Sequence, residues 1–396
     1  MLSTAFSPWP LFSQEEADAV SRVLLSNKVN YWTGNECRQF EQEFAAFAEC
    51  EYAVALSNGT LALDVALKAL GVGPGDEVVV TPRTFLASAS SIVTAGATPV
   101  FAEVDRSTQN ITADTIRAVL SPNTRAVICV HLAGMPCDMD PIMQLAAENN
   151  LFVIEDCAQA HGARYKGRAV GSIGHVGAWS FCQDKIMSTG GEGGMVTTND
   201  SELWSKMWSY KDHGKSWQAV YEREHPPGFR WLHESFGTNW RMTELQGVIG
   251  RIQLARMDSW TALRRANAER IWHVARNLPG LRVPEAPEWA EHAAYKCYVF
   301  VEPERLAKGW DRERIMHEIN RRGVPCFSGC CSEVYLEKAF DSCLSDGRNW
   351  RPARRLPVAK ELGETSLMFL VHPTLTEAEI GKTCQVLAEV MAGAMP

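Results

Sequence analysis

Between Ser57 and about Val196 the chain alternates short apolar runs with helix-like segments, and this alternation constrains the fold more than any other feature. The apolar runs are rich in Val and Ile and nearly continuous, as in strands that are buried on both faces. The runs lie at 77–82, 98–104, 125–132, 151–156 and 193–199. The pattern predicts an α/β fold in which helices cover both faces of a mostly parallel sheet.

Three of the intervening segments carry helix signals. The segment 60–70 places leucines on one helical face, and Gly71 follows it as a stop. The segment 111–120 opens with Thr112 as an N-cap, and the segment 138–150 ends in asparagines. We therefore expect a helix over each of these ranges.

Beyond Asp200 the chain becomes helical and rich in tryptophan. Thr243 and Gln246 form a predicted capping box, and the apolar spacing after them predicts one helix that runs towards Arg264 and bridges to a second domain. Further strand-like runs and a last helix from Glu377 predict a smaller α/β domain. We expect a large N-terminal domain over 1–255 and a small C-terminal domain over 256–396.

Composition excludes several classes of partner. The formal net charge is -8, whereas nucleic acids and anionic membrane surfaces call for concentrated Lys and Arg. No run approaches the roughly 18 to 20 apolar residues that span a bilayer. We expect neither nucleic acid nor a membrane as a partner.

The twelve cysteines are spread over 396 residues, and the N-terminal MLSTAFSPWPLFSQEE does not have the pattern of a secretory leader. Reduced thiols and a cytoplasmic location are therefore expected. Cys326, Cys330 and Cys331 cluster, but no paired CxxC and no His pair at ligand spacing lies near them. We expect no metal site.

Four polar motifs follow predicted strands or precede predicted helices, where open parallel sheets bind ligands. Asn58–Thr60 precede a helix and are either a simple turn or an anion site. Asp156 ends a buried strand and needs a cationic partner, which is a salt bridge in the simplest interpretation. Lys185 lies between a strand and a Gly-rich turn, and Asn239 stands just ahead of a helix.

These motifs share one order along the chain. NGT is followed by TPRTF, EDCAQAHGA, SF with Lys185 and GGEGG, and finally NWRMTELQ. This order resembles the DegT/StrS family of sugar aminotransferases, over nearly the whole chain. The resemblance implies the pyridoxal-phosphate (PLP) transferase fold of type I, with a mostly parallel sheet of the seven-stranded type between helices and a smaller C-terminal α/β domain.

The resemblance assigns roles around the ring of the cofactor. Lys185 matches the catalytic lysine that holds PLP covalently and shuttles the substrate proton. Asp156 matches the carboxylate paired with the pyridine nitrogen, and Gln159 the side chain beside the phenolic oxygen. Phe85 matches the ring that stacks on the pyridine, although a core phenylalanine is the alternative.

The resemblance also assigns the phosphate site. Gly59, Thr60 and Ser180 match the phosphate cup, and Asn239 matches an asparagine that reaches the phosphate from the neighbouring subunit. A homodimer with shared active sites is therefore implied. The residues Cys182, Gln183 and Asp184 stand where the family often has His-Pro-Thr.

The function that the resemblance implies is transfer of an amino group from L-glutamate to a nucleotide-linked keto-hexose, with release of 2-oxoglutarate. Such amino sugars enter surface polysaccharide, lipopolysaccharide or glycosylated metabolites. One alternative is a sugar dehydratase that uses the amine form of the cofactor. Such a dehydratase has histidine at the position where this chain has Lys185. The other is a PLP-binding regulator without turnover. The sugar, its nucleotide and the choice between a 3-keto and a 4-keto position stay open.

Overall fold

The computed structural model describes residues 5–228, 230–341 and 350–396. The strands in chain order are β1 (Tyr52–Leu56), β2 (Glu77–Val80), β3 (Thr98–Phe101), β4 (Thr124–Val130), β5 (Phe152–Asp156), β6 (Arg164–Tyr165), β7 (Arg168–Ala169), β8 (Val176–Ser180), β9 (Gly194–Thr198), β10 (Leu281–Arg282), β11 (Ala290–Glu291), β12 (Cys297–Val301), β13 (Cys326–Phe327) and β14 (Ser366–Phe369).

Helices cover and connect these strands. In chain order they are α1 (Gln14–Leu25), α2 (Glu36–Phe47), α3 (Gly59–Ala69), α4 (Ala87–Thr94), α5 (Ala113–Arg117), α6 (Met139–Asn149), α7 (Ser201–Lys211), α8 (Glu244–Leu254), α9 (Met257–Arg276), α10 (Arg312–Arg321), α11 (Pro357–Thr365) and α12 (Glu377–Ala394). No helix in these described ranges combines the length and the apolar character that crossing a bilayer requires.

The main sheet has seven strands in the order β1-β9-β8-β5-β4-β2-β3. β9 runs in the opposite direction to the other six strands, so it pairs antiparallel with β1 and with β8. The strands β8, β5, β4, β2 and β3 pair in parallel. The predicted fold class is confirmed. β1 was not among the predicted runs, because YAVAL is short and directly precedes the first motif.

The topology brings three of the motifs to one edge of this sheet. Since β1 and β8 are both antiparallel to β9, their carboxyl ends point the same way as that of β5. Asp156 is the last residue of β5, Ser180 is the last residue of β8, and α3 begins three residues after β1. The edge therefore carries the predicted phosphate and pyridine contacts side by side.

The predicted helices over 60–70 and 138–150 are confirmed to within one residue at either end. The helix expected over 111–120 is shorter, because α5 ends at Arg117, although the hydroxyl of Thr112 accepts from the Thr115 amide as a cap. The single helix from Thr243 towards Arg264 is wrong. The structure has two helices, which a turn at Ala255 and Arg256 separates, and the Arg256 amide bonds to the Gln253 carbonyl instead of continuing the helical pattern. The Arg256 guanidinium binds Glu15 and Glu16 of α1.

The C-terminal part builds its own four-stranded sheet, in the order β10-β12-β14-β13. Its apolar core includes residues of α9, α10 and α12, and Phe6 from the N-terminal segment packs against that core. Val334, Tyr335 and Phe340 pack instead with the core of the main sheet. Segments from each part thus cross to the other, and the boundary at residue 255 stays a prediction.

Candidate active site

A cavity of about 730 Å³ lies where the carboxyl edge of the main sheet meets the C-terminal part. Seven of the eight residues predicted for the site line it. They are Gly59, Thr60, Phe85, Asp156, Gln159, Ser180 and Lys185. Four separate stretches of the chain thus converge on one space, as the order of the motifs predicted.

Asp156 is a buried carboxylate at the edge of the sheet, with 5% of its surface exposed. Its Oδ2 accepts a hydrogen bond from the Ser88 hydroxyl at 2.7 Å, and its Oδ1 accepts from the Ala158 amide at 3.1 Å. No described lysine, arginine or histidine forms an ion pair with it. A buried carboxylate that has only neutral donors lacks a counter-charge, which a cationic group bound in the cavity would supply.

The amino end of α3 forms another wall. The side chain of Asn58 caps this helix by accepting from the Leu61 amide at 3.0 Å, and the first helical residue is Gly59. A Cβ on Gly59 would lie 2.5 Å from the Cβ of Ser180, closer than packed atoms approach. The sequence therefore needs glycine here, so that the helix end and the Ser180 hydroxyl stand together. Helix amides and a hydroxyl are suited to a phosphate group.

Gln159 has a fixed orientation. Its Oε1 accepts a hydrogen bond from the Ala133 amide at 2.9 Å, which leaves the Nε2 hydrogens to donate. Ala133 has a positive φ of 56°, an uncommon conformation for alanine. The side chain can thus offer hydrogen-bond donors to an oxygen of a bound group.

Lys185 follows β8 in a loop that the indole of Trp9 fastens, since the Trp9 Nε1 donates to the Lys185 carbonyl at 2.8 Å. The ammonium of Lys185 lies over the ring of Tyr295, 5.4 Å from its centre. Phe85 borders the same cavity, and 67% of its surface is exposed. The alternative that Phe85 is a core residue is wrong, because most of its surface is exposed at the cavity.

Asn239 lies apart from the cavity that the single chain forms. It is exposed, and its backbone forms an isolated antiparallel β-bridge with that of Asp212. The carboxylate of Asp212 forms salt bridges with Lys215 and Arg241. Two large apolar side chains lie near it along the chain, Trp231 with 83% and Phe236 with 98% of their surface exposed. The structure therefore does not bring this predicted residue to the other seven within one subunit.

Comparisons with known proteins give the site a context. A family model described as the DegT/DnrJ/EryC1/StrS aminotransferase family matches residues 10–388. The chain belongs to this aminotransferase family. The X-ray structure of the aminotransferase from Psychrobacter cryohalolentis has a TM-score of 0.95 and 66% identity, and the match covers 98% of this chain and 99% of that one.

Two curated relatives of the aminotransferase have more specific names. The spore coat polysaccharide biosynthesis protein SpsC of Bacillus subtilis is 36% identical over 97% of this chain and 96% of its own length. The dTDP-3-amino-3,4,6-trideoxy-alpha-D-glucose transaminase of Streptomyces venezuelae is 39% identical over 94% of this chain and 90% of its own length.

Sequence reasoning did not find the residues that hold Asp156 in place or those that form the far wall of the cavity. Ser88 holds Asp156 and is itself 2.8 Å from the Thr84 hydroxyl. Thr84 lies in the TPRTF motif, but neither residue had a predicted role. The far wall of the aminotransferase cavity comes from the C-terminal part and includes Tyr295 and Lys296. The only signal there is a lysine that directly precedes an apolar strand.

Asp184, Tyr295 and Lys296 form a charged corner of the cavity. The Tyr295 hydroxyl donates to the Asp184 carboxylate, and burial together with that carboxylate raises the pKa of Tyr295 well above its usual value. Burial works against the charge of Asp184, but Lys185 and the Tyr295 hydrogen bond lower its pKa overall. Burial lowers the pKa of Lys296 to about 8, and the nearby cations Arg264 and Lys185 add to this effect.

His161, Trp208 and Trp217 do not line the cavity. His161 is fully buried among Phe44, Trp179 and Phe181, and burial lowers its pKa to about 3, so its imidazole is neutral. Trp208 is buried, and Trp217 packs on it in the core of the main sheet. These two indoles therefore serve core packing.

The residues present fit PLP in three respects. Asp156 lacks the counter-charge that a protonated pyridine nitrogen would give it. The cradle between Gly59 and Ser180 has no room for a Cβ but presents donors to a phosphate. The exposed ring of Phe85 offers an apolar face at the cavity wall.

Proposed function

We propose that this chain is a PLP-dependent transaminase that moves an amino group from L-glutamate to a nucleotide-linked keto-hexose. The observation that carries the proposal is the convergence of Lys185 and the unpaired carboxylate of Asp156 on one cavity. The names of the relatives, a sugar transaminase and a polysaccharide biosynthesis protein, support a nucleotide sugar as the acceptor.

When bound, PLP supplies an electron sink for the pair of electrons released as a C–H bond breaks at the substrate carbon. Asp156 would keep the ring nitrogen protonated, since its carboxylate is held in place by Ser88 and the Ala158 amide. Gln159 would donate to the phenolic oxygen, and Phe85 would cover one ring face. Gly59, Thr60 and Ser180 would hold the phosphate.

Lys185 would do the proton chemistry. Its primary amine would hold the cofactor covalently, and its Nζ, once free, would take a proton from one substrate carbon and return it to another carbon. The ring of Tyr295 lies beside this amine. Transamination requires a base at this place, and the presence of lysine here favours transamination over the dehydratase alternative, which has histidine.

The active enzyme would be a homodimer in which Asn239 of each subunit completes the phosphate site of the other. Its position outside the cavity of its own chain and the exposed Trp231 and Phe236 near it support this arrangement. Exposed aromatic side chains of this size are typical of interfaces.

Mixed dimers test the shared site. We expect K185A and N239A homodimers to have little activity, because every site in each carries one of the two defects. A heterodimer purified through two different tags has one site with both defects and one with neither, so activity should return in it. If Asn239 acted within its own subunit, the heterodimer would stay inactive.

The function itself is tested with the purified protein and its visible absorbance. We expect a yellow chromophore that L-glutamate removes, with release of 2-oxoglutarate, and that a nucleotide-linked keto-hexose restores. A panel of 3-keto and 4-keto hexoses on different nucleotides would identify the acceptor. A bound chromophore that is indifferent to every amino donor would leave a regulator as the function and contradict the proposal.

A further inference from the structure

The cavity wall opposite the sheet carries a lysine that has no assigned role. Lys296 directly precedes β12, lines the cavity and is partly buried. Within the described residues it forms no salt bridge, and its Nζ lies 4.7 Å from the centre of the Tyr295 ring. A partly buried ammonium without a salt bridge is unusual, because its charge loses solvation and only the nearby carboxylate of Asp184 offsets part of that loss.

The surroundings of Lys296 make this excess of positive charge larger. Arg264 is fully buried close by, and its Nε and Nη2 have no hydrogen-bond partner in the described structure. Arg264 and Lys185 both act against the charge of Lys296. The carboxylate that faces these cations is Asp184, which already accepts from the Tyr295 hydroxyl and lies next to Lys185. This corner therefore favours an additional anion.

The spacing indicates which anion. Lys185 and Lys296 both line the cavity and both lie over the ring of Tyr295, 5.4 Å and 4.7 Å from its centre, so both amines border the part of the cavity next to that ring. An amino acid whose amine reacts at Lys185 carries a carboxylate only one to three carbons away from that amine. The pyrophosphate of a nucleotide sugar is separated from the reacting keto carbon by the hexose ring. The short separation matches the amino donor.

We propose that the Lys296 ammonium binds the side-chain carboxylate of the amino donor and so selects an acidic amino acid as the donor. This inference rests on the proposed transaminase function. Lys296 is a positioning residue in this role, since it orients the donor while Lys185 moves the proton. The donor carboxylate would at the same time form the direct ion pair that Lys296 does not form with the described residues.

The test compares two variants of the purified holoenzyme. K296M keeps an unbranched chain but removes the charge, and K296R keeps the charge. Binding of glutarate, a dicarboxylate that has no amine, is measured by calorimetry, and the half-saturation for L-glutamate and the limiting rate are measured by the loss of absorbance. We expect K296M to weaken glutarate and glutamate about tenfold or more, as loss of a charge-assisted hydrogen bond does.

The remaining readouts make the result specific. K296R should stay within about threefold of the parent, and the half-saturation for the nucleotide sugar and the limiting rate should change less than about threefold in both variants. The melting temperature of K296M should not fall, because an unpaired cation is removed. A lower melting temperature with unchanged glutarate affinity would show a merely structural role.

Failure of this inference and failure of the proposed function give different results. If the parent reacts with glutamate but K296M binds glutarate and glutamate equally well, the carboxylate site is refuted while the transaminase stands. The same holds if K296M loses affinity for the nucleotide sugar instead. If the parent does not react with glutamate, the function fails, and glutarate binding still decides whether Lys296 holds a carboxylate.

Discussion

The two walls of the cavity differ in origin and in charge. The wall at the sheet edge comes from the ends of β5 and β8 and from the start of α3, and its unpaired charge is the carboxylate of Asp156. The opposite wall comes from the C-terminal part, and its unpaired charge is the ammonium of Lys296. Each wall therefore favours a different bound group.

This difference separates the two tasks of a transaminase. A buried carboxylate beside a helix amino end and a glycine cradle is suited to a cofactor that has a cationic ring and an anionic tail. A cation in the facing wall is suited to the anionic substrate that enters afterwards. The comparison predicts that mutations at the sheet edge affect the cofactor and the chemistry, and that mutations opposite affect donor binding.

The largest effect is expected at Lys185. We expect K185A to lower the limiting rate at least about 1,000-fold, because loss of a positioned acid and base removes roughly two to four orders of magnitude. K296M removes the same charge from the same cavity and is the matched control, with a rate within about threefold of the parent. Single-turnover absorbance measures both, and equal losses in the two variants would break the comparison.

A smaller effect is expected at Asp156. We expect D156N to lower the limiting rate about 100-fold, because the amide cannot hold the positive charge that a carboxylate holds on a ring nitrogen. S88A should lower it only about threefold to tenfold, since it removes one of the two neutral hydrogen bonds to the carboxylate. Steady-state rates with the retained cofactor quantified check this order, and a D156N rate above that of S88A would contradict it.

The sheet edge could be predicted from the sequence because its polar groups are local. Asp156 and Ser180 each end an apolar strand, and Asn58 directly precedes α3, so the strand pattern already places them at one edge. The roles of Gln159 and Phe85 came from the resemblance and not from periodicity. What the pattern did not give was β1 and the break between α8 and α9, because no proline or glycine marks Arg256.

The opposite wall could not be predicted because nothing local marks it. Lys296 resembles any charged residue that flanks a strand, and only the tertiary packing places it beside Tyr295 and in the cavity with Lys185. Ser88 lies inside α4 and looks like an ordinary helical serine until β5 is placed next to it. A residue whose role depends on a neighbour distant in sequence leaves no trace in a single chain.

The third effect concerns the cradle. We expect G59A to lower the free energy of unfolding by about 1–3 kcal/mol and to weaken PLP retention, because its Cβ would lie 2.5 Å from the Cβ of Ser180 and must push the helix end away. The double variant G59A/S180G removes the clashing atoms and should recover most of the stability but not the cofactor affinity. Thermal unfolding and cofactor titration measure the two quantities. If G59A loses stability and G59A/S180G does not recover it, the contact between residues 59 and 180 is not the source of the strain.

The smallest effect is a pH dependence of donor binding at the opposite wall. Because burial, Arg264 and Lys185 lower the pKa of Lys296 to about 8 while Asp184 raises it, Lys296 is charged below that pH and neutral above it. Tyr295, whose pKa is raised, stays neutral throughout. The glutarate dissociation constant should therefore be constant near pH 7 and about tenfold larger near pH 9.

The control for this prediction is K296R, because Arg264 lies close to Lys296 and burial lowers its pKa to about 9. The guanidinium that replaces the ammonium in K296R keeps its charge, so any pH dependence that K296R retains comes from Arg264. If the glutarate dissociation constant changes equally with pH in the parent and in K296R, the titrating group is Arg264, and the proposal that Lys296 binds the carboxylate is contradicted.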